Sequence, residues 1–156
     1  MAWFGLGLCA VTIGVARAAR DYAVAFARER TPNSNRTIME YPGVRTRIAR
    51  MDLLIQRSRA LMDAAGRAWE ARETRGMAPL NRVAAAKVAT LNNCIEAVAL
   101  AMRVVGGVSL QKQRPIERYY RDVRAPLHNP PLEDRAMEML ARAALDEPTE
   151  PPKAAE

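Results

Sequence analysis

The sequence predicts an all-α fold, an up-and-down bundle of four to five helices, and three observations carry that expectation. Apolar residues make up 49% of the chain but aromatic ones only 5%, so Ala, Leu, Val and Met dominate the core material and good helix formers prevail. Two long stretches repeat apolar residues at intervals of three and four, the period of one helix face. Proline and glycine clusters fall between these stretches rather than inside them. A length of 156 residues suits one domain. The apolar share, beside 26% charged residues, excludes a disordered chain, a collagen-like repeat and a disulfide scaffold.

The first helix is expected over about residues 3–30. It begins with the apolar run from Met1 to Ala16, which has no basic residue ahead of it as a secretory signal would, and falls short of the roughly 20 apolar residues of a membrane span. The run continues without a break into the more polar segment Arg17 to Arg30, so a buried helix with a wet C-terminal half is the expectation. Thr31-Pro32-Asn33-Ser34-Asn35 stops it, and a loop follows to Pro42. Val44, Ile48, Met51, Ile55, Met62, Ala65 and Trp69 then trace one face of a second helix over about 43–74. Gly76-Met77-Ala78-Pro79 breaks it. Leu80, Ala84, Val88, Leu91, Ile95, Val98, Met102 and Val105 repeat the pattern over 80–105, and Gly106-Gly107 closes that third helix. Shorter helices are expected at 115–124 and 132–145, around Pro126 and Pro130-Pro131. The bundle is thus placed at 1–145 and a disordered tail at 146–156, where Pro148, Pro151 and Pro152 gather.

The net charge of +7 comes from 21 Arg and 3 Lys dispersed among acidic residues. No basic block, zinc-finger spacing or aromatic RNA-binding signature accompanies it, so neither nucleic acid nor a membrane is expected as a partner. So many guanidinium forks suit carboxylates and phosphates, including the pyrophosphate of a nucleotide cofactor. Cys9 and Cys94 lie in apolar runs without a CxxC or a histidine partner, and read as small buried hydrophobes of a reducing compartment, the cytoplasm. No metal-ligand spacing is present.

The string Val104-Val105-Gly106-Gly107-Val108-Ser109-Leu110-Gln111-Lys112-Gln113-Arg114-Pro115-Ile116-Glu117-Arg118-Tyr119-Tyr120-Arg121-Asp122 resembles the C-terminal helical domain of acyl-CoA dehydrogenases, with its Gly-Gly turn, Pro-(Val/Leu)-Glu-(Arg/Lys) step and Arg-Asp pair at matching separations. Ala86-Lys87, Phe26-Ala27-Arg28-Glu29-Arg30, and Glu40 followed by Val44, Ile48, Ala49 and Met51 are similar to further stretches of that domain. The resemblance covers about residues 5–145. It implies a fragment or split subunit of a flavoprotein oxidoreductase, whose N-terminal helical and β-domains are not in this chain. It also implies that FAD lies between the β-domain and the bundle, with the partner subunit's bundle reaching the pyrophosphate.

On that resemblance Arg30 matches an arginine that reaches a neighbouring subunit's FAD, against the plainer role of a solvated arginine at a helix end. The usual Phe-Gly near it is replaced by Pro32-Asn33. Gly106 and Gly107 match the turn beside the cofactor. Arg103 stands where the family carries a flavin-contacting Gln, and either meets the pyrophosphate or joins an interhelical salt bridge. Arg121 and Asp122 are expected to form a paired charge holding the last helices together.

Dehydrogenation of an acyl thioester needs a carboxylate to take the α-proton while a flavin takes the β-hydride. The two positions where the family carries that glutamate fall here on Pro130 and Phe4, and Glu133 and Asp134 are displaced from the first by three or four residues. The segment Leu127-His128-Asn129-Pro130 is similar instead to flavin monooxygenases of the same fold, which makes His128, the only histidine, the candidate catalytic residue, against the plainer role of a loop histidine holding a turn. The expected function is FAD binding and oligomerisation within a larger enzyme, inactive alone. Its partner is a second copy or a subunit supplying the other domains, and its substrate an acyl-CoA or an aromatic small molecule. A flavin monooxygenase domain and a non-enzymatic basic helical interaction module are the alternatives.

Overall fold

The computed structural model describes residues 2–32, 36–71 and 77–146. All of its regular elements are helical: α1 (Ala2–Glu29), α2 (Pro42–Glu70), α3 (Ala78–Val105), α4 (Pro115–Asp122) and α5 (Glu133–Asp146), joined by three short 3-10 turns. Of the tail expected at 146–156, Asp146 instead closes α5, and the rest, with the loop residues 33–35 and the break at 72–76, lies outside the described residues.

Proline placement accounts for several starts. Pro42, Pro79 and Pro115 each sit in the first turn of a helix, where the missing N–H has no intrahelical partner to lose. Ahead of α2, Thr37 and Glu40 form a reciprocal capping box. α3 ends at Gly106, whose φ of 76° and N–H bond to the Met102 carbonyl make the cap. That backbone conformation belongs to glycine.

The first three helices form the body. Arg20 on α1 ion-pairs with Asp52 on α2, and Arg50 on α2 with Glu96 on α3 at 2.6 Å. Asn93 on α3 donates to the Ser58 hydroxyl on α2 at 3.3 Å, and Gly5 on α1 lies against Val83 on α3. These pairings run α2 antiparallel to both neighbours and leave α1 and α3 parallel, as the up-and-down connection requires. α3 touches all four other helices and is buried round much of its surface, at Val83, Lys87, Thr90, Cys94, Ala97, Ala101 and Val104 besides the predicted stripe. A one-sided period cannot show a helix packed on several sides.

α1 departs from expectation. Ala19, Ala23 and Ala27, all in the C-terminal half expected to be wet, are fully buried, as is Ala16 just before it. Trp3, Phe4 and Val11 near the start are 62%, 48% and 63% exposed. Burial follows a face, not a half: small alanines on that seam let α1 approach its neighbours closely. α1 and α3 are each long and apolar enough to cross a membrane by length and composition, and both place one side of that apolar surface inside the bundle.

α4 is shorter than expected because the chain turns into a 3-10 element at Ala125–His128 ahead of Pro126. Arg121 and Asp122 do not pair with each other. Arg121 binds Glu117 at 2.8 Å and Asp122 lies 3.8 Å from Arg118. All four charges are on α4, because i,i+4 neighbours on one helix meet without any tertiary arrangement. α5 has Ala136 as its single buried residue and packs mainly on α3.

Candidate functional site

The candidate residues divide between two ends of the bundle. Arg30, Arg103, Gly106 and Gly107 belong to the end where α1 and α3 finish. Arg30 follows the last turn of α1; its N–H donates to Phe26 at 3.0 Å and its carbonyl accepts from Ile38 at 2.9 Å, which fixes the backbone and leaves the side chain exposed. Arg103 is exposed in the last turn of α3. Neither guanidinium is ion-paired with a described residue, so the interhelical bridge considered for Arg103 is not formed. Nothing lies within 4 Å of a side chain built on Gly106 or Gly107, so this turn is open to close approach. Between the C-terminal part of α1 and the start of α2, Arg28, Glu40, Arg45 and Met39 border an open groove of about 510 Å³.

His128 belongs elsewhere. It is exposed at the end of the Ala125–His128 turn, and the chain then runs through Asn129 and the cis Pro130-Pro131 bond to α5. This loop rests on the first half of α3 through Lys87, whose Nζ donates to the carbonyls of Asn129 and of Pro131, the latter at 2.6 Å. Lys87 and Arg103 are roughly 24 Å apart along α3 at about 1.5 Å per residue. The five candidates therefore form no single constellation.

Pro130 and Pro131 border a cavity of about 480 Å³ whose other walls include Ala2, Gly5, Leu80 and Val83. Phe4 sits between two of these residues in sequence but is itself turned outward. Among the described residues no carboxylate lines the cavity. Glu133 and Asp134 lie exposed in the first turn of α5, and Glu133 accepts a hydrogen bond from Asn92 at 3.1 Å. Among the described residues no cluster of three or more His, Cys, Asp or Glu could hold a metal ion.

Burial perturbs three ionisable groups. Burial raises the Cys94 thiol to about 11, slightly opposed by Ser58, and raises Cys9 as well, against weaker effects of Thr90 and Lys87. Both cysteines are free and fully buried. Lys87 is lowered from the ordinary lysine value because burial disfavours the ammonium. The sequence singled out Lys87 only within its Ala-Lys pair. Its signal was there to read, since position 87 falls in the apolar seam between Ala84 and Leu91, where a charge has to find buried partners.

A sequence profile of the acyl-CoA dehydrogenase C-terminal domain matches residues 2–127. The protein YdbM of Bacillus subtilis strain 168, whose name assigns it to the acyl-CoA dehydrogenases, is 40% identical over 142 residues, covering 90% of this chain and 37% of YdbM. A nitroalkane oxidase structure superimposes with a TM-score of 0.88 at 26% identity, over 96% of this chain and 35% of that one. Butyryl-CoA dehydrogenase from Megasphaera elsdenii shares the fold, with a TM-score of 0.82 at 20% identity over 90% of this chain and 36% of that one. The chain thus spans little more than a third of each of these three proteins.

Proposed function

Because the chain belongs to the acyl-CoA dehydrogenase family through that family's C-terminal helical domain, we propose that it is the FAD-contacting and subunit-assembling part of a flavoprotein oxidoreductase, active only with the remaining two thirds of such a protein. The division of candidate residues between two ends carries this reading. In the family arrangement a bundle lies against its own FAD and also reaches the pyrophosphate of a neighbouring subunit's FAD. Two ends roughly 24 Å apart along α3 suit two cofactor molecules and, with them, an oligomer.

The residues fit the group. Arg30 and Arg103 offer exposed forks that match phosphate oxygens, and the open surface over Gly106 and Gly107 lets a cofactor come close. The bound flavin would supply the electron-accepting ring. The chain's own part is to neutralise phosphate charge at one end and to wall the reacting region with the 128–131 loop at the other.

Neither family position brings a base for α-proton removal, since Phe4 and Pro130 hold them, and Glu133 is engaged by Asn92. Dehydrogenation would need a carboxylate from the rest of the protein. The exposed His128 on a firmly held loop favours, as a second reading, the flavin monooxygenase branch, where an imidazole supports a reaction with oxygen.

The test is a chimera in which residues 2–146 replace the matching segment of YdbM. Replacing Arg30 by Gln and Arg103 by Ala together should release FAD on gel filtration while leaving the helical content unchanged. Retention equal to that of the parent chimera would exclude the phosphate role. His128→Ala should raise peroxide release with reduced flavin under the second reading, and unchanged acyl-CoA turnover with an artificial acceptor would exclude it.

A further inference from the structure

Among the described residues Lys87 is the one buried charged side chain, 2% exposed, and no carboxylate pairs with it. An isolated ammonium in such a place is costly unless its donors are satisfied. Its partners are two main-chain carbonyls, those of Asn129 and Pro131, one on each side of Pro130. Asn92 on α3 also donates to Glu133, two residues beyond the loop, at 3.1 Å. Within the loop Asn129 N–H donates to Pro126 at 3.2 Å, and the helix that follows buries only Ala136. The loop's prolines have no N–H to offer, so two acceptors facing one buried three-donor group are the natural way to fasten it.

We propose that Lys87 is a positioning residue whose buried ammonium fastens the His128–Pro131 loop to α3 through the Asn129 and Pro131 carbonyls, and so sets where His128 and the wall at Pro130 stand. That the loop borders the flavin rests on the function proposed above; that Lys87 fixes it does not. The other ionisable groups around Lys87 are Cys9 on α1, and Glu133 and Arg135 on α5.

The chain has a single histidine and three lysines, so nuclear magnetic resonance reads each of these without ambiguity. In the wild-type chain the lysine Cε signals should show one residue, Lys87, titrating below the other two. The His128 ring signal should move at that pH. In Lys87→Met, with circular dichroism unchanged, the His128 signal should approach that of an unstructured peptide, and the amides of His128 and Asn129 should exchange at least about tenfold faster. Lys87→Gln, which keeps a donor, should fall between. If Lys87 titrates with the other two lysines, or if its titration leaves His128 unmoved, the proposal is overturned, and the wild-type titration decides this even where Lys87→Met does not fold. A fastened loop in the chain alone, together with a chimera whose flavin spectrum ignores both Lys87→Met and His128→Ala, would keep Lys87's role and reject the loop's place beside the flavin.

Discussion

A methyl group built on Gly5 would stand 3.1 Å from Val83 Cγ1. At this crossing α1 and α3 touch with a hydrogen on one side and a β-branched side chain on the other, close to the cavity that Pro130 borders.

Gly5→Leu should therefore destabilise the chain by about 1–3 kcal/mol through overpacking. Gly7→Ala, exposed and with open space where its Cβ would go, should stabilise it by roughly 0.5–1 kcal/mol through helix propensity. Urea unfolding of the two variants checks this, and a Gly5→Leu chain as stable as wild type would refute the crossing.

Ile55 is 3% exposed, whereas Ile95 is only partly buried beside the same cluster. Ile55→Ala should cost about 2–5 kcal/mol, and Ile95→Ala roughly 1–2 kcal/mol for its smaller buried area. Denaturant titrations that reverse this order would contradict the packing of α2 on α3.

These two isoleucines also mark how far the sequence could be read. Both lie on predicted stripes, and the helix ends at Pro42, Pro79, Gly106 and Pro115 were legible because proline and glycine act locally. Which stripe residue is deepest was not legible, since α3 is covered on several sides and periodicity reports only one. The inward face of α1 was hidden by its alanines, which carry little contrast with the exposed Trp3 and Phe4. Partners of charges were the least legible: Arg121 and Asp122 are neighbours in sequence yet each binds a residue four positions back along α4. Of the candidate site, the residue types and their chain positions were readable. Their separation to two ends, and the tie from Lys87 to the loop, depend on how α1, α3 and the 125–131 segment pack.

Both thiols should resist modification in the folded chain. With Cys94 raised to about 11 by burial, its thiolate is on the order of one part in a thousand at pH 8, and Cys9 is raised in the same sense. A disulfide thiol reagent should label neither cysteine until denaturant is added, and then both. Labelling of either within minutes under native conditions would place that cysteine at the surface.

Lys87 predicts a pH dependence with a definite sign. Its folded value is lowered by burial from 10.5, so between the lowered value and 10.5 the unfolded chain binds a proton that the folded chain has released. Stability therefore rises with pH across that window, and the cost of burying the ammonium is fully present below it. Urea unfolding at pH 8 and at pH values up to about 10.5 should show wild type gaining on Lys87→Met as pH rises. Parallel profiles for the two chains would mean that Lys87 is not buried as a charge.

The central claim, that this bundle completes an FAD site, is tested most directly by the colour of the chimera with YdbM. Purified from cells and passed over a desalting column, a folded chimera carrying residues 2–146 should show stoichiometric flavin absorption, released by heat as FAD, under conditions in which YdbM itself retains flavin. A folded, helical chimera that stays colourless even after incubation with excess FAD would contradict the account.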